Sequence, residues 1–506
     1  MQDAGNPSAV AAEVDVAIIG CGTTGLTLAH LLAQAGVRVA AIERWHLPAS
    51  FPRATHIDAE TMRVFQTLGL AHMEPDYIGV GVYRFLDSHR RVVMEFDMNL
   101  GMTEQGWNSD YMFHQPDWES VMRGHVHQAE TATTFYGWEL VGLEDGADGV
   151  DVQVREVATG EQRRISARYV VGCDGANSKV RQIMGSGFTD FDATHRSLIL
   201  DLEPFVQSPH LPSNLDSFIV GGIRNPLTYL SIAKGGLRIE ELLRPEDDAA
   251  EFASLSHIYE VLGQYFKPHE YRLWRADVYE WKARVYHPWR SGRVLIAGDA
   301  CHTTPPHIGQ GMCSGIRDAT NLAWKLALVV HDQAAPDLLD TYETERVANV
   351  TPMIETAAMM ANQIEGMEEV PATMEPPPPE ARKTMRPPLG PGVLRPNDPW
   401  AGTLSAQPRL ADGTLMDDSI GFAFALVGTE ASLASVLPDA EALWADLDVR
   451  VIAESGGAVA AWLDELGVAA ALIRPDRYLF GTAGDAGEVE DLLESLRAAI
   501  KIGATR

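Results

Sequence analysis

The sequence has 506 residues, of which 46% are apolar and 22% are charged, an ordinary globular composition that argues against global disorder. A chain of this length exceeds the roughly 250–300 residues at which a single hydrophobic core stops growing, so we expect two or three domains. Its 40 basic and 70 acidic residues give a formal net charge of −30, which argues against nucleic acid or an anionic membrane surface as a partner.

The first predicted elements are a strand, a glycine-rich turn and a helix. Residues 14–19 favour a buried parallel strand, the pattern G-x-G-x-x-G occupies residues 20–25, and apolar residues at helical spacing follow until Gly36. A second predicted strand, residues 37–42, ends at Glu43. This order of elements is the context in which the glycine pattern indicates a dinucleotide-binding site.

Each residue type in this unit has a physical role. Gly20 permits the tight turn, Gly22 lets the backbone approach a pyrophosphate, and Gly25 allows the helix to pack closely on the strand. The helix N-terminus offers free N–H groups and a positive dipole end to the phosphates. Glu43 can accept hydrogen bonds from a ribose, and the pattern alone leaves open whether the ligand is FAD or NAD.

The middle of the chain favours a sheet. Apolar and polar residues alternate over residues 94–99, which is typical of a half-buried strand. Strand-like runs follow between residues 197 and 280, including residues 217–220 and 227–232. Another short buried strand is predicted at residues 294–297. We interpret the region as a sheet domain inserted between cofactor-binding segments.

The C-terminal part begins with a proline-rich stretch. Ten of the 29 residues from 371 to 399 are proline, which excludes a helix or a central strand and favours a linker or an extended arm on the surface. Alternating strands and helices then predict a small α/β domain. The predicted strands are residues 422–427, 449–453 and 470–473, and the predicted helices are residues 458–466 and 488–500.

Two further groups of residues carry a family resemblance. The later group is Gly298-Asp299-Ala300-Cys301-His302, Pro305-Pro306, Gly309-Gln310-Gly311, Arg317-Asp318-Ala319 and Asn321-Leu322-Ala323-Trp324-Lys325-Leu326, and the middle group is Cys173-Asp174-Gly175 with Ser178, Val180 and Arg181. With the glycine turn, they resemble in correct order the three cofactor signatures of the class A flavoprotein aromatic hydroxylases, whose fold is that of para-hydroxybenzoate hydroxylase.

Other segments look like the 3-(3-hydroxyphenyl)propionate hydroxylases within that family. They are Pro52-Arg53-Ala54, Gly106-Trp107, Gln115-Pro116 and Arg474-Pro475-Asp476-Arg477. The sequence departs from the family pattern at Cys313, where many members have Asn. It also departs at His307, where an aromatic or small residue is common.

The resemblance implies a mixed α/β and α+β fold with a Rossmann-like FAD-binding domain, an inserted β-sheet substrate domain and a C-terminal thioredoxin-like domain. The C-terminal domain has no cysteine, so it cannot perform dithiol chemistry and is expected to be structural. The expected division is residues 1–85, 105–196 and 283–365 for the FAD-binding domain, 86–104 and 197–282 for the substrate-binding sheet domain, 366–400 for a proline-rich linker and 401–506 for the C-terminal domain.

The resemblance also implies the site residues. Asp299 would accept a hydrogen bond from the ribityl chain of FAD, and the N-terminus of a helix beginning near Gly311 would face the flavin pyrimidine edge. The catalytic candidates are Pro306, whose carbonyl would accept a hydrogen bond from substrate, and His307, which could touch substrate or flavin or be a solvated loop histidine. The expected FAD-binding residues are Gly20, Gly22, Thr24, Gly25, Glu43, Arg44, Arg53, Gln115, Asp174, Gly298, Asp299, Pro306, Gly309, Gly311, Met312 and Cys313.

The activity that the resemblance implies is hydroxylation of a small phenolic substrate, ortho to its hydroxyl, with O2 and NADH or NADPH through a C4a-hydroperoxyflavin. Because the sequence has one dinucleotide fingerprint, FAD is expected to occupy it, and the nicotinamide cofactor to visit without its own domain. The alternatives are a monooxygenase of the same fold that acts on a larger polyketide or antibiotic, and a non-catalytic FAD-binding sensor.

The cysteines and the termini indicate the compartment. The four cysteines, Cys21, Cys173, Cys301 and Cys313, form no CxxC pair and match no zinc spacing, so we expect no metal site and a reducing environment. No apolar run approaches the roughly 20 residues of a membrane span, and no secretory signal is visible. We therefore expect a cytoplasmic enzyme with no membrane or nucleic-acid partner, and a homodimer as the favoured oligomeric state.

Overall fold

The computed structural model describes residues 10–98, 100–208, 211, 217–366, 375, 387–434 and 447–500. The strands in these ranges are β1 (Val10–Ile19), β2 (Val39–Glu43), β3 (His56–Asp58), β4 (Ile78–Gly79), β5 (Val82–Leu86), β6 (Val92–Asp97), β7 (Asp110–Met112), β8 (Ala132–Tyr136), β9 (Trp138–Asp145), β10 (Val150–Glu156), β11 (Gln162–Gly172), β12 (Gly187–Pro204), β13 (Ser217–Val220), β14 (Leu227–Ile232), β15 (Gly236–Leu243), β16 (Tyr271–His287), β17 (Arg290–Ser291), β18 (Val294–Ile296), β19 (His302–Thr303), β20 (Phe424–Gly428), β21 (Val449–Ala453), β22 (Ala470–Ile473) and β23 (Leu479–Ala483).

The helices in these ranges are α1 (Thr23–Gln34), α2 (Ala59–Thr67), α3 (Gln115–Gln128), α4 (Lys179–Met184), α5 (Ala249–Phe252), α6 (Leu255–Gly263), α7 (Gly311–Val330), α8 (Thr341–Glu365), α9 (Met416–Ile420), α10 (Glu430–Leu433), α11 (Gly457–Leu466) and α12 (Val489–Ile500). Among the described helices, none has the length and apolar content needed to cross a membrane.

The first sheet carries the glycine turn. Five of its strands run parallel in the order β18-β11-β1-β2-β8, β17 extends one edge, and the antiparallel β9 and β10 continue from β11. Val16 of β1 pairs with Val39 of β2 on one side and with Tyr169 of β11 on the other. This pairing confirms the two strands predicted around the glycine pattern. Helix α1 packs against α3 and α7. Consecutive side chains of β1 and β2, at residues 16–19 and 39–42, are buried, so these strands are covered on both faces.

The second sheet has eight strands in the order β19-β16-β12-β15-β14-β13-β5-β6. The predicted strands at residues 217–220 and 227–232 are confirmed as β13 and β14. Strand β6 confirms the alternating segment as far as Asp97, because Met94 and Phe96 are half-buried while Glu95 and Asp97 are exposed. The last predicted residue, Asn99, lies outside the described residues. Its neighbour β5 pairs with it antiparallel.

The two faces of this second sheet differ in character. One face packs leucines of β12, including Leu198 and Leu200, into an apolar core with Ile258 of α6. The opposite face turns toward the loop after β2, since Arg238 of β15 donates to the carbonyl of Pro52 at 2.5 Å. We call this second face the inner face. His307, in the segment that leads from β19 into α7, contacts this face at Trp281.

The third sheet confirms the thioredoxin-like expectation. Its order is β21-β20-β22-β23, with β21 parallel to β20 and with β22 and β23 antiparallel to their neighbours. Helix α11 lies between β21 and β22 along the chain, and α12 follows β23. The predicted strands at residues 449–453 and 470–473 coincide with β21 and β22, and both predicted helices agree to within one residue.

The proline-rich stretch is described only in part. Residues 367–374 and 376–386 lie outside the described residues. Residues 387–400 run between α8 and the third sheet, where Leu389 is 6% and Val393 is 1% exposed. The expectation of a surface arm is therefore wrong for these two side chains, because the arm fills the space between two packed units. The domain boundaries given above stay predictions.

Candidate active site

The glycine turn is packed so tightly that two positions require glycine. Gly20 has a φ of +97°, and a Cβ there would lie 2.4 Å from the carbonyl oxygen of Cys173 at the end of β11. A Cβ on Gly25 would lie 1.9 Å from the carbonyl oxygen of Gly20. The turn therefore brings the N-terminus of α1 directly onto the ends of β1 and β11, as the sequence pattern predicts.

The N-terminus of α1 has no side-chain cap. Gly22 is its N-cap residue and provides no side-chain oxygen, so the first N–H groups are left for a ligand. The Arg53 guanidinium approaches this point, with its Nη2 4.0 Å from where a Cβ on Gly22 would lie, and its side chain is 61% exposed. A cation and a helix N-terminus thus face the same space, which suits a phosphate group.

Gln115 acts on the backbone next to this cation. It begins α3, and its Oε1 accepts the N–H groups of Arg53 at 3.0 Å and Ala54 at 2.7 Å. Its amide Nε2 donates to Glu119 at 2.7 Å. In the structure Gln115 therefore holds the loop that carries Arg53.

Glu43 closes the turn at the end of β2. Its Oε2 accepts the N–H of Cys21 at 2.9 Å, and its Oε1 accepts the N–H of Trp45 at 3.0 Å. The neighbouring Arg44 guanidinium lies 4.8 Å from the centre of the Trp45 ring. Each Glu43 oxygen keeps a further lone pair for a ribose hydroxyl.

Thr24 connects the glycine turn to α7. A Cβ on Gly298 would lie 2.6 Å from the Thr24 Oγ1, and a Cβ on Gly315 would lie 2.4 Å from the same atom. The hydroxyl thus fills the space that these two glycines leave open. The turn, the segment after β18 and the first turns of α7 consequently meet at one place.

Asp174 is occupied by the start of α4. Its carboxylate accepts the Ser178 hydroxyl at 2.5 Å and the N–H groups of Lys179 at 2.7 Å and Val180 at 3.2 Å. Burial raises the pKa of this carboxyl, and the hydrogen bonds oppose that shift. These contacts are those of a turn and a helix start, and the hydrogen bonds of Asp174 are made within the protein without a cofactor.

Asp299 differs from Asp174 because its carboxylate is exposed. Gly298 precedes it at a φ of +63° and donates its N–H to Asp318 at 3.0 Å. Within the described residues Asp299 has no hydrogen-bond partner, although the protein around it raises the pKa of its carboxyl by desolvation. A carboxylate that is surrounded yet accessible lines a cleft and is available to a ligand hydroxyl.

The segment from Pro306 to Gly311 turns the chain into α7. The Pro306 carbonyl accepts the N–H of Gly309 at 2.9 Å, and Gly309 has a φ of +66°. Helix α7 begins at Gly311 without a side-chain cap. Met312 is half-buried in its first turn, whereas the Cys313 side chain is fully buried, so Cys313 offers a cofactor only its backbone.

His307 stands at the border between this segment and the inner face. Its ring lies 5.1 Å from that of Trp281 on β16, and its Nδ1 is buried without a hydrogen-bond partner among the described residues. Burial, with a smaller contribution from His195, lowers the pKa of His307 to about 4. The imidazole is therefore neutral at pH 7 and has an unused nitrogen. The partial burial of His307 argues against the solvated-loop alternative, and its contact with substrate or flavin stays a prediction.

Sequence reasoning missed the ion pair that holds the Asp299 segment. Asp318 accepts His302 Nε2 at 2.7 Å and Arg346 Nε at 2.8 Å, and all three side chains are fully buried. Although burial alone would raise it, His302 and Arg346 hold the pKa of Asp318 well below its usual range. Asp318 lies in a recognised motif, but nothing in the spacing indicates its partner on α8.

The residues present fit FAD. The glycine turn leaves a space that a Cβ would fill. The N-termini of α1 and α7 have no side-chain cap, and the Arg53 guanidinium lies near that of α1, so anionic groups can bind there. Asp299 offers a carboxylate acceptor. Buried hydroxyls of Thr303 and Thr304, which lie between Asp299 and Pro306, also lack partners in the described part of the chain. Together they supply partners for anionic groups and for hydroxyl groups, both of which FAD carries.

Comparisons with known proteins agree with this geometry. Residues 13–357 match the model of the family described as FAD binding domain. The chain is 31% identical to a 3-(3-hydroxy-phenyl)propionate/3-hydroxycinnamic acid hydroxylase of Mycolicibacterium gilvum (strain PYR-GCK), covering 97% of this chain and 92% of the relative. It is 32% identical to a probable NADH-specific resorcinol 4-hydroxylase of Rhodococcus jostii (strain RHA1), covering 98% and 96%.

Solved structures share the fold. The flavin-dependent monooxygenase PieE, in complex with FAD and substrate, superposes with a TM-score of 0.82 at 22% identity over 97% of this chain and 100% of that one. Aklavinone-11 hydroxylase, in a ternary complex with FAD and aklavinone, gives 0.80 at 22% identity over 96% and 99%. The chain thus belongs to the FAD binding domain family and, within it, to the FAD-dependent aromatic hydroxylases.

Proposed function

We propose that this enzyme hydroxylates a small phenol, ortho to its hydroxyl, with O2 and NADH or NADPH. The observation that carries the proposal is the meeting of the glycine turn, Asp299 and the N-terminus of α7, with His307 beside Trp281 of the inner face. The two hydroxylase relatives, whose names specify a hydroxyphenylpropionate and resorcinol, support a one-ring phenol. When bound, FAD supplies the redox and oxygen chemistry.

The chain's own residues would first hold the cofactor. We propose that the backbone of the glycine turn and Arg53 bind the pyrophosphate, Glu43 the ribose, and Asp299 the ribityl chain. Gln115 would act through the Arg53 loop, and Asp174 through the start of α4. The remaining proposed FAD contacts are Arg44, Thr24, Gly298, Gly309, Gly311, Met312 and the backbone of Cys313.

Pro306 and His307 are the proposed substrate contacts. The Pro306 carbonyl oxygen accepts the N–H of Gly309 with one lone pair and keeps the other for the N–H or O–H of a ligand. The neutral His307 can accept a hydrogen bond from a phenol at Nε2, since Nδ1 is the buried nitrogen of its ring. Both acceptors would favour partial loss of the phenol proton, which makes the ring more electron-rich.

The inner face would exclude water from the reacting ring. Trp281 is 4% exposed and packs with Leu242 and Ile219 on the same face. Apolar side chains there desolvate the site and limit unproductive loss of the activated oxygen as peroxide. We further propose a cytoplasmic location, which suits the four free thiols, together with a homodimer and the domain division given above.

The test is oxidation of NADH and of NADPH by the purified yellow holoenzyme in air, with peroxide measured in parallel. The phenol panel contains 3-(3-hydroxyphenyl)propionate, resorcinol and a multi-ring phenol, with benzene-ring analogues that lack the hydroxyl as matched controls. We expect phenol-dependent oxidation, little peroxide and a new ortho-diol. FAD binding without stimulation by any phenol would overturn the proposal and favour the sensor alternative, whereas stimulation only by the multi-ring phenol would move the substrate to the larger class.

A further inference from the structure

A histidine behind the Gly309 turn has no part in the function proposed above. His56 begins β3, and its Nδ1 lies 3.2 Å from the carbonyl oxygen of Gly309. Its Nε2 lies 2.8 Å from Oδ1 of Asp110 on β7. The His56 side chain is 14% exposed and that of Asp110 is 19% exposed.

Both nitrogens of His56 face acceptors. A carbonyl oxygen accepts only, and an ionised carboxylate accepts only, so both hydrogen bonds form together when the ring carries a proton on each nitrogen. Although burial disfavours the charged ring, Asp110 raises the pKa of His56 well above its usual range, with a smaller contribution from Cys313. Asp110 on β7 and Cys313 on α7 are the titratable groups that face it.

The ring also fits the turn sterically. A Cβ on Gly309 would lie 2.7 Å from the His56 Nδ1, so the ring occupies the space that the glycine leaves. The Cys313 sulfur lies 3.9 Å from the carbonyl oxygens of both His56 and Gly309. His56, the turn and the first turn of α7 therefore form one packed unit, and α7 begins two residues after Gly309.

We propose that the His56–Asp110 ion pair is a positioning device that fixes the Gly309 turn and keeps the local charge neutral beside the flavin. Two-electron reduction, with uptake of one proton, adds one negative charge to a flavin. A lone Asp110 carboxylate would repel the negative charge of the reduced flavin, whereas the positive charge of the His56 imidazolium cancels the charge of Asp110. The inference rests on the proposed function only in placing FAD at this site.

The experiment is the two-electron midpoint potential of the bound FAD, measured on the holoenzyme with xanthine and xanthine oxidase against a reference dye. His56→Asn keeps a donor for the Gly309 carbonyl and leaves Asp110 unbalanced. We expect the ratio of reduced to oxidised FAD at fixed potential to fall about tenfold, a shift of about 30 mV. The double variant with Asp110→Asn is neutral again, and we expect it to return within about twofold of the unaltered enzyme.

His72→Asn is the matched control, since His72 is exposed and its Nδ1 also lies 3.0 Å from a backbone carbonyl, that of Gly69. We expect no shift there. An unchanged ratio in His56→Asn, or a double variant as low as the single one, would overturn the proposal. If His56→Asn purifies without FAD, Asp110→Asn decides. Proton uptake by the flavin itself raises the ratio about tenfold for each unit by which pH falls, so the comparison is with the unaltered enzyme at each pH. A steeper rise in Asp110→Asn through the ordinary histidine range near about 6.5 is expected, and a pH dependence parallel to that of the unaltered enzyme would refute the idea.

This readout separates the two proposals. Reduction by an external donor needs only bound FAD, so it remains measurable if no phenol is hydroxylated. Conversely, an enzyme that hydroxylates phenols with an unchanged potential in His56→Asn would leave the proposed function intact and refute the role of the ion pair.

Discussion

Arg474 is expected to hold the C-terminal domain on the flavin-binding part of the chain. It is fully buried, and its Nη2 donates to Glu345 on α8 at 2.7 Å and to Asp476 at 2.6 Å. Its Nε also donates to Asp476 at 3.1 Å, and its Nη1 to the carbonyl of Val393 at 3.1 Å. Lys325 of α7 completes the cluster by donating to the same Glu345 oxygen at 2.8 Å.

Replacement of Arg474 by Met keeps the apolar stem and removes the charge. The cluster has two cations and two carboxylates, so the variant leaves one uncompensated negative charge in a dry interior and loses four hydrogen bonds. Removing one partner of a buried ion pair typically costs about 3–5 kcal/mol, and we expect a loss of about 4 kcal/mol of unfolding free energy.

Urea unfolding of the holoenzyme, followed by circular dichroism and by flavin fluorescence, measures this loss as the midpoint shift multiplied by the slope. The control is Arg450→Met, because Arg450 is 54% exposed and pairs with Asp448 on the surface. That change should stay within about 0.5 kcal/mol. A loss below about 1 kcal/mol for Arg474→Met would refute the role assigned to the cluster.

Further predictions concern the glycine turn, the two candidate site residues Asp299 and His307, and Glu345. Gly25→Ala places a methyl group onto the Gly20 carbonyl, so we expect purification without FAD, checked by the flavin absorbance. Asp299→Ala removes the free acceptor in the cleft and should weaken FAD binding about tenfold in a fluorescence titration, and unchanged affinity would contradict the ribityl contact. His307→Leu should lower kcat/KM for a phenol at least about tenfold and raise peroxide release. Since the pKa of His307 is lowered to about 4, the unaltered enzyme should show no loss of kcat/KM near pH 6.5. Burial would raise the pKa of Glu345, but Arg474 and Lys325 lower it to about 2. The ionised carboxylate therefore contributes roughly 3 kcal/mol of stability above about pH 4.5, and this contribution is lost as pH falls toward 2. The unfolding free energy of Glu345→Gln should depend less on pH over this range.

Local features of the fold were predictable from the sequence. The glycine turn depends on residues a few positions apart and is found where the spacing places it, and the helix expected to begin near Gly311 does begin there. The expectation of three sheets, one each for the FAD-binding, inserted and C-terminal parts of the chain, came from the family resemblance that the motifs carry. The buried arm at Val393 was not predictable, because proline content forbids a helix without saying what the chain packs against.

The residues that sequence reasoning missed are those paired across long separations. His56 meets Gly309 at a separation of 253 positions, and Asp318 meets Arg346 across 28. Periodicity describes one element at a time, whereas these contacts exist only once two elements have packed. Their signal is chemical: an ionisable residue inside an apolar pattern must find a partner, but the pattern does not identify it.

The buried ion pairs of helix α7 fix its position relative to its neighbours. Its buried charges pair with two other helices. Arg317 pairs with Glu60 of α2 at 2.6 Å, and Asp318 and Lys325 pair with the adjacent α8 residues Arg346 and Glu345, the second of which also binds Arg474. Buried ion pairs add little net stability over well-packed apolar residues, but a misplaced partner leaves a charge uncompensated. They therefore penalise any shift of α7 along or about its axis. Because the N-terminus of α7 is proposed to face the flavin, a thioredoxin-like domain without cysteines can still serve the chemistry by holding that helix in register.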